Sequence, residues 1–230
     1  MSTATPRPRQ TTPAKKAGRG RPPASERVND TASPEQDILD VATREFAEKG
    51  FAGARVDAIA ESTRTSKRMI YYHFDSKEGL YLAVLENAYR RIRRIEQALE
   101  LGDLPPEQAL RRLVEFTFDY HVDNPDFVRL VMNENILHGA YLANSQDIAS
   151  VNRSAIDSLT AVYERGRQAG VFRKGIDPVD LHMSISALCF FTVANRHTFS
   201  LGFKRDLTSP QALAQRRASV VGMVLRDVVP

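Results

Sequence analysis

The chain has 230 residues and carries 32 Lys and Arg against 28 Asp and Glu, a formal net charge of +4 at neutral pH. With 42% hydrophobic and 26% charged residues, it has the composition of an ordinary globular protein with a sizeable core. Its single cysteine, Cys189, excludes an internal disulfide framework. No apolar run reaches the roughly 18 residues that a membrane-spanning helix needs, and the N-terminus lacks the apolar core of a secretory signal. The sequence therefore predicts a cytoplasmic protein without a membrane segment.

The first 32 residues differ from the rest in composition and charge. They are rich in Pro, Thr, Ala and basic residues, and hold seven cations against two acids, so this segment carries +5 and the remaining chain −1. Because large apolar side chains are nearly absent, we predict a disordered basic tail over residues 1–32. The run Arg19-Gly20-Arg21-Pro22 resembles an AT-hook, which would place Arg19 and Arg21 in an A·T-rich minor groove. The alternative is a solvated basic linker that adds only counterion-release affinity.

An amphipathic helix is predicted to open the folded region. Ser33 is suited to cap it, and Pro34 suits the first helical position. Gly50 is predicted to end it. The apolar residues at helical spacing form its buried stripe: Ile38, Leu39, Ala42 and Phe46.

Residues 55–77 contain two short helical patterns separated by a polar break. In the second pattern, Ser66 is well placed to cap the helix, and Ile70 and Phe74 point inward. The other faces of this helix carry cations and phenolic hydroxyls: Lys67, Arg68, Tyr71, Tyr72 and His73. Such side chains contact phosphates and base edges in the major groove of DNA. The pattern is typical of a helix-turn-helix in which the second helix reads the groove.

This stretch closely resembles the DNA-binding domain of the TetR family of bacterial transcriptional regulators. The resemblance covers about residues 33–85. It is carried by Phe46, Gly50, Phe51, Val56, Ile59, Ala60, Ser66, Lys67, the run Ile70-Tyr71-Tyr72-His73-Phe74 and the run Ser76-Lys77-Glu78-Gly79-Leu80. It implies double-stranded operator DNA as a partner. The candidate DNA-binding residues of the folded region are Arg55, Ser66, Lys67, Arg68, Tyr71, Tyr72, His73 and Lys77.

Everything after the first three helices is also predicted to be helical. The expected helices run from about 76 to 101, 110 to 124, 127 to 137, 148 to 169, 178 to 199 and 210 to 228, without strand alternation or internal repeats. The four arginines between residues 90 and 94 are interpreted as a solvated face. We predict an all-α fold of about nine to ten helices. A helix-turn-helix DNA-binding domain would span residues 33–80, and a helical ligand-binding and dimerisation domain residues 81–230.

The predicted helix over 127–138 is apolar almost all round, yet it holds Asn133, Glu134, Asn135 and His138. These polar groups either anchor a ligand cavity with aromatic walls, or pair with one another and with helix ends. The family resemblance implies a small-molecule pocket in this region. Its occupancy would shift the fourth helix so that two DNA-binding domains no longer match the operator. The candidate effector-binding residues are Phe116, Tyr120, His121, Met132, Asn135, His138, Phe190, Phe191 and Asn195.

Residues 181–194 are apolar on all faces, which indicates burial on every side. Either a partner subunit covers this helix, or it is a central core helix within one subunit. The resemblance implies a homodimer formed by the last long helices, about residues 178–200 and 210–228. A two-fold dimer also suits palindromic half-sites in DNA.

The sequence therefore predicts a homodimeric transcriptional regulator, a repressor released from a palindromic operator by a small-molecule effector. The alternative is an architectural DNA-binding protein that depends on the basic tail and senses no ligand. There is no phosphate-binding loop, no nucleophile elbow and no paired metal-ligand spacing of histidines or cysteines. We therefore expect no enzymatic activity, no cofactor and no metal.

Overall fold

The structure, a computed structural model, describes Met1, residues 33–63 and residues 65–230. The predictions for the basic tail, including Arg19 and Arg21, lie outside the described residues. Within these residues the chain forms ten α-helices and no strand: α1 (Pro34–Gly53), α2 (Val56–Thr63), α3 (Lys67–Phe74), α4 (Lys77–Gln97), α5 (Pro106–Asp123), α6 (Pro125–Ile136), α7 (Ile148–Gln168), α8 (Pro178–Ala194), α9 (Arg196–Phe203) and α10 (Pro210–Val228). The all-α prediction is confirmed. None of these helices combines the length and apolar character needed to cross a bilayer.

Serine hydroxyls fix the starts of three helices in the N-terminal part. The Ser33 hydroxyl accepts a hydrogen bond from the Gln36 amide at 3.2 Å, and that of Ser66 accepts one from the Met69 amide at 3.2 Å. Ser76 caps α4 in the same way, through the Gly79 amide at 3.0 Å. Each cap satisfies a backbone donor that the first helical turn leaves free, which stabilises the helix by roughly 1 kcal/mol. The predicted caps Ser33 and Ser66 are confirmed.

Helices α8 and α4 end before the positions predicted from the sequence, and α5 begins at Pro106, four residues before the predicted start. The segment predicted as one helix over 178–199 is divided at Asn195, whose amide donates to the carbonyls of Phe191 and Val193 and ends α8. The apolar pattern continues into α9, so hydrophobic periodicity alone could not reveal this break. Helix α4 stops at Gln97, four residues before the predicted end, because the chain turns at Glu100 with a φ of 51°.

The first core cluster lies between α1, α2, α3 and the start of α4. We call these helices, with α4 taken up to Leu85, the head. The fully buried residues of the head core include Phe46, Ile70 and Tyr81. Leu130 of α6 is also part of this cluster. A larger core is formed by α5, α7, α8 and α10, and its most buried members include Leu110, Val114, Phe118, Leu159, Cys189 and Val220.

Helix α6 reaches from the head core to a third cluster. Two of its residues, Phe127 and Val128, pack there with Ile92, Tyr120 and Val193. Leu130, which packs in the head core, is therefore less than one helical turn from Phe127 and Val128, which pack in a different core. Residues 33–230 form one compact unit, and the predicted domain boundary at residue 80 falls inside the continuous helix α4.

Candidate nucleic-acid interface and ligand site

Helix α3 is held in the head by two side chains. Ile70 and Phe74, one turn apart, are buried in the head core. The short helix is fixed at its start by the Ser66 cap and at its end by the Asp75 amide, which donates to the Tyr71 carbonyl at 2.9 Å. An eight-residue helix is marginal by itself, so this burial and capping keep it formed.

The predicted DNA-binding residues of the folded region lie in three segments: α3 with its cap, the residue directly before α2, and the first turn of α4. Most are exposed side chains of α3 or its cap: Ser66, Lys67, Arg68, Tyr72 and His73. Tyr71 is half-buried and packs against the head core. Arg55 is exposed directly before α2, and its amide donates to the Glu45 carboxylate at 3.0 Å, which ties the start of α2 to α1. Lys77 is half-buried in the first turn of α4.

The cations of this region differ in how they are held. The Lys67 ammonium lies 3.0 Å from a carboxylate oxygen of Asp57 in the first turn of α2. The Lys77 ammonium lies 4.8 Å from the centre of the Phe51 ring, and 3.5 Å from the Ala52 carbonyl. Arg55 and Arg68 have no acidic partner within ion-pair distance among the residues that the structure describes. Asp57 was not identified from the sequence, because a pair ten residues apart has no local signature.

The connection between α3 and α4 is unusually tight. Asp75 has a φ of 60°, and the Ser76 amide donates to the Phe74 carbonyl at 2.6 Å, which makes a γ-turn. A Cβ atom on Gly79 would lie 2.1 Å from that same Phe74 carbonyl oxygen. The first turn of α4 can therefore approach the end of α3 only because residue 79 has no side chain. This contact fixes the position of α3 relative to α4.

Four of the predicted effector-binding residues come together in the structure. Phe116, Tyr120 and His121 of α5 meet Phe190 of α8, and Phe127 of α6 joins them. We call these five residues the aromatic cluster. The His121 ring stacks on Phe127 at 5.9 Å between centroids and meets Phe190 edge to face at 5.8 Å. Tyr120 meets Phe127 at 5.8 Å.

His121 is the polar group at the centre of the aromatic cluster. Its side chain is only 4% exposed, and its Nδ1 atom has no hydrogen-bond partner in the described part of the chain. Burial, with a further contribution from the Arg93 charge, lowers the pKa of His121 to about 4. The imidazole is therefore neutral at physiological pH and offers an unused hydrogen-bonding atom among aromatic rings.

The arginines of α4 are not a uniformly solvated face, so that interpretation is wrong for Arg93. Its side chain is 12% exposed and pairs with the buried carboxylate of Glu96. Burial raises the pKa of Glu96, while the charge and hydrogen bond of Arg93 oppose that shift. The Arg93 Nε atom has no partner among the described residues. A sequence could not show this, because the covering residues come from other helices.

The other five candidate effector residues are not part of the aromatic cluster. They are Met132, Asn135, His138, Phe191 and Asn195. Met132, Asn135 and His138 are exposed, and the Asn135 amide donates to the Val131 carbonyl of its own helix at 2.8 Å. Phe191 lines a separate cavity of about 420 Å³ between α8, α9 and α10, and Asn195 ends α8. Met132 lies on the side of α6 opposite to Phe127 and Leu130, and His138 lies beyond the end of α6 in a turn with a φ of 58°.

The two remaining polar residues of α6 have backbone partners. The Asn133 amide donates to the Phe46 carbonyl of α1 at 3.1 Å. The buried Glu134 carboxylate accepts hydrogen bonds from the Tyr141 and Leu142 amides at 2.8 and 2.9 Å. These two residues pair with backbone groups and not with one another, and the Asn133 bond joins α6 to the head.

We expect the neutral state of His121 to make stability depend on pH. Its pKa is lower in the folded chain than the ordinary value of 6.5, so the unfolded state binds the proton first as the pH falls below 6.5. Between pH 7 and pH 5 this contributes a loss of about 2 kcal/mol of unfolding free energy. Urea titrations at both pH values should show that His121→Phe removes this part of the loss. The exposed-site control His197→Gln should keep the wild-type difference, and a His121→Phe variant with the full wild-type loss would contradict the assignment.

Both the N-terminal and the C-terminal helices match families of known proteins. Residues 38–84 match the family described as bacterial regulatory proteins, tetR family, and residues 106–224 match the tetracyclin repressor-like C-terminal domain. The HTH-type transcriptional repressor NicS of Pseudomonas putida is 37% identical over 191 residues, which is 83% of this chain and 90% of NicS. The HTH-type transcriptional repressor SCO4008 of Streptomyces coelicolor is 28% identical over 156 residues, 68% of this chain and 76% of that protein.

The fold has a solved counterpart. The crystal structure of SCO4942 from Streptomyces coelicolor aligns with a TM-score of 0.64 at 28% identity, over 85% of this chain and 98% of that chain. The C-terminal helices, like residues 33–85, therefore resemble proteins of the TetR family. Because both regions match and NicS is similar over most of its length, the chain belongs to the TetR family of bacterial transcriptional regulators.

Proposed function

We propose that this TetR-family regulator is a homodimeric repressor that binds a palindromic operator through α3 and is released by a small-molecule effector bound at the aromatic cluster. The observation that carries the proposal is the construction of α3. With Ile70 and Phe74 buried, α3 exposes Lys67, Arg68, Tyr72 and His73 within a region that matches the family's DNA-binding domain. Two relatives that bear the name of repressors support the direction of control.

The proposed contacts to DNA follow from the exposed groups. Lys67, Arg68, Tyr71 and Tyr72 would read base edges or position α3 in the major groove. Phosphates would be bound by groups that flank this face: Arg55, Ser66, His73 and Lys77. The basic tail, through Arg19 and Arg21, would add affinity from the minor groove or by counterion release.

The proposed dimer surface is an apolar stripe along α8. Val179, Met183, Ala187 and Phe191 are spaced four residues apart, so they lie along one side of the helix, and all four are exposed. Small residues of α10 such as Ala214 and Ala218 are exposed as well. A stripe of this kind is covered by a partner in a stable protein, and small residues permit close helix packing. A second copy of the chain is the proposed partner.

The proposed effector is an apolar or aromatic molecule with one hydrogen-bonding group. Aromatic rings surround His121, and its unpartnered Nδ1 offers one polar contact. Occupancy would displace Phe127 and thereby shift α6, which also carries Leu130 and Asn133 into the head. This route connects the ligand site to α3 without requiring contact between ligand and DNA. Catalysis forms no part of the proposed function, and the proposed location is the cytoplasm, where an operator is accessible.

The first experiment is selection of genomic fragments on the purified full-length protein at near-physiological salt. Enrichment of one short palindrome is the expected result. Enrichment that follows only A·T content, and disappears when residues 1–32 are deleted, would instead support the architectural alternative. That alternative is less favoured because residues 106–224 match a regulator's C-terminal domain, which a tail-driven binder does not need.

Two substitutions test the assignment of α3 as the reading helix. Lys67→Ala and Tyr71→Phe should each weaken binding to the selected operator by roughly 1–3 kcal/mol, measured by fluorescence anisotropy. Tyr71→Phe keeps the ring that packs against the head core, so its effect reports the hydroxyl group. Thermal unfolding should stay at the wild-type temperature. Arg112→Ala, at an exposed site of α5, is the control and should bind as wild type. Unchanged affinity in both α3 variants would remove α3 from the interface.

A further inference from the structure

We propose that the effector is an aromatic carboxylate, whose carboxylate group is bound by Arg93 of α4 and whose ring lies against the aromatic cluster. The inference rests on the proposed function, because it identifies the hydrogen-bonding group of the molecule that the aromatic cluster would bind. Its starting point is a buried cation beside that cluster with an unused hydrogen-bond donor. An anion is the ligand that such a group binds most strongly.

Arg93 lies on the buried side of α4. Four residues at helical spacing form this side: Tyr89, Ile92, Arg93 and Glu96. Ile92 and Glu96 are buried, and the Arg93 side chain is nearly so. Tyr89 meets Phe127 of the aromatic cluster edge to face, at 5.5 Å between ring centroids. The side of α4 that carries Arg93 is therefore in contact with the aromatic cluster.

The charge of Arg93 acts on two residues of the aromatic cluster. Burial lowers the pKa of His121, and the Arg93 charge lowers it further. Burial raises the pKa of Tyr120, and the charges of Arg91 and Arg93 oppose that shift. A charge changes a neighbouring pKa appreciably only at short range. A ligand that touches His121 is therefore close to the Arg93 guanidinium as well.

The guanidinium of Arg93 has one open side. Its Nη1 atom donates to the Glu96 carboxylate, whereas the buried Nε atom has no partner among the residues that the structure describes. A planar guanidinium can bind a carboxylate through two parallel hydrogen bonds, and the side formed by Nε and Nη2 is the one that Glu96 leaves open. A carboxylate of the effector fits this side, because its two oxygens match the two donors.

A groove between α4 and α7 leads from the surface to Arg93. It has a volume of about 330 Å³ and is lined by arginines and small or polar residues: Arg90, Arg93, Arg94, Gln97, Ser150, Val151 and Ser154. Arg90 pairs with Glu86 and Asp147, whereas Arg94 has no acidic partner within ion-pair distance in the described part of the chain. Residues 86–97 hold four arginines and two glutamates, a net charge of +2. This groove therefore attracts anions and repels cations.

The experiment uses the full-length protein, the operator obtained by selection, and ligands in matched pairs. Each pair is an aromatic acid and its primary amide, beginning with benzoate and benzamide and extending to phenylacetic, naphthoic and hydroxylated acids. Fluorescence anisotropy measures release of the operator, and isothermal titration calorimetry measures the dissociation constant. At least one acid should release the operator. Its amide should bind roughly 10- to 100-fold more weakly, because it offers Arg93 no charge and only one acceptor.

A double substitution tests Arg93 without leaving a buried charge unpaired. Arg93→Gln with Glu96→Gln removes both charges and keeps hydrogen-bonding groups at both positions. This variant should bind the acid and the amide alike and should bind the operator as wild type when no ligand is present. Glu96→Gln alone retains Arg93, so it should keep the preference for the acid. Thermal unfolding shows whether each variant is folded.

An exposed ion pair of α5 offers the matched control. Arg111 and Glu107 are one turn apart and both about half exposed, so Arg111→Gln with Glu107→Gln makes the same chemical change away from the buried side of α4. This control should keep the wild-type preference for the acid.

Three results would overturn the inference and leave the proposed function in place. They are release of the operator by neutral aromatic compounds alone, equal affinity for acid and amide in the wild type, and a preference for the acid that persists in the Arg93 and Glu96 double variant. A wild-type protein that no compound of either kind releases would overturn effector control, and the inference with it. A protein that binds no palindrome would overturn the proposed function at the level of DNA binding.

Discussion

Gly79→Ala is expected to lower the free energy of unfolding by about 3 kcal/mol, a large effect for the addition of one methyl group. The new Cβ atom would lie 2.1 Å from the Phe74 carbonyl oxygen, a backbone atom that cannot move aside as a flexible side chain can. Relief requires α3 and α4 to separate, and the γ-turn at Asp75 leaves little freedom for this. Urea unfolding measures the loss, and operator binding should fall with it because α3 changes position.

Gly202→Ala is the matched control for this substitution. Gly202 is also helical, in α9, and a Cβ atom there would meet nothing within 4 Å in the described structure. Alanine is favoured over glycine inside a helix, so this variant should be as stable as wild type or up to about 1 kcal/mol more stable. If Gly79→Ala unfolds at the same urea concentration as wild type, the tight α3–α4 connection is not as described.

Met183→Glu is expected to convert the protein from a dimer to a monomer at micromolar concentration. Met183 is 63% exposed in one chain and lies within the apolar stripe of α8. Burying an unpaired carboxylate in a subunit interface costs several kcal/mol, so the dimer should weaken by about 3 kcal/mol or more. Sedimentation velocity should show the change in mass. Affinity for a palindromic operator should fall by roughly 100-fold, because two half-sites are then bound independently.

Ile136→Glu is the control for the effect of a new surface charge. Ile136 is also an exposed apolar residue, at 71%, but it is the last residue of α6 and not part of the α8 stripe. This variant should remain a dimer with wild-type operator affinity. A dimeric Met183→Glu would show that the α8 stripe is not the subunit interface.

The features that could be predicted from the sequence are those determined by nearby residues. The Ser33 and Ser66 caps depend on an amide three residues away, and the inward direction of Ile70 and Phe74 depends on helical spacing alone. Helix α10 was predicted with its observed ends because Ser209 and Pro210 mark its start. For the same reason the position of α3 and its exposed residues Lys67, Arg68, Tyr72 and His73 could be predicted, whereas the packing of Tyr71 against the head core could not.

The features that could not be predicted join residues that are distant in the chain. Burial of Arg93 with Glu96 requires other helices to cover one side of α4, and their packing leaves no mark in local spacing. The bond from Asn133 to the Phe46 carbonyl spans 87 residues. The helix that carries Asn133 looked apolar all round, so the sequence did not distinguish its exposed side, with Asn135, from its buried side.

The position of Leu130 limits how this regulator can be recombined with its relatives. Leu130 is fully buried in the head core although it belongs to α6, and Asn133 adds a hydrogen bond to α1. In a chimera that combines this head with the C-terminal helices of another family member, the position of Leu130 in the head core would be filled by a residue of the other protein's α6. Chimeric regulators with new operator preferences would therefore need matched residues at 130 and 133, so the unit of exchange is the head together with part of α6.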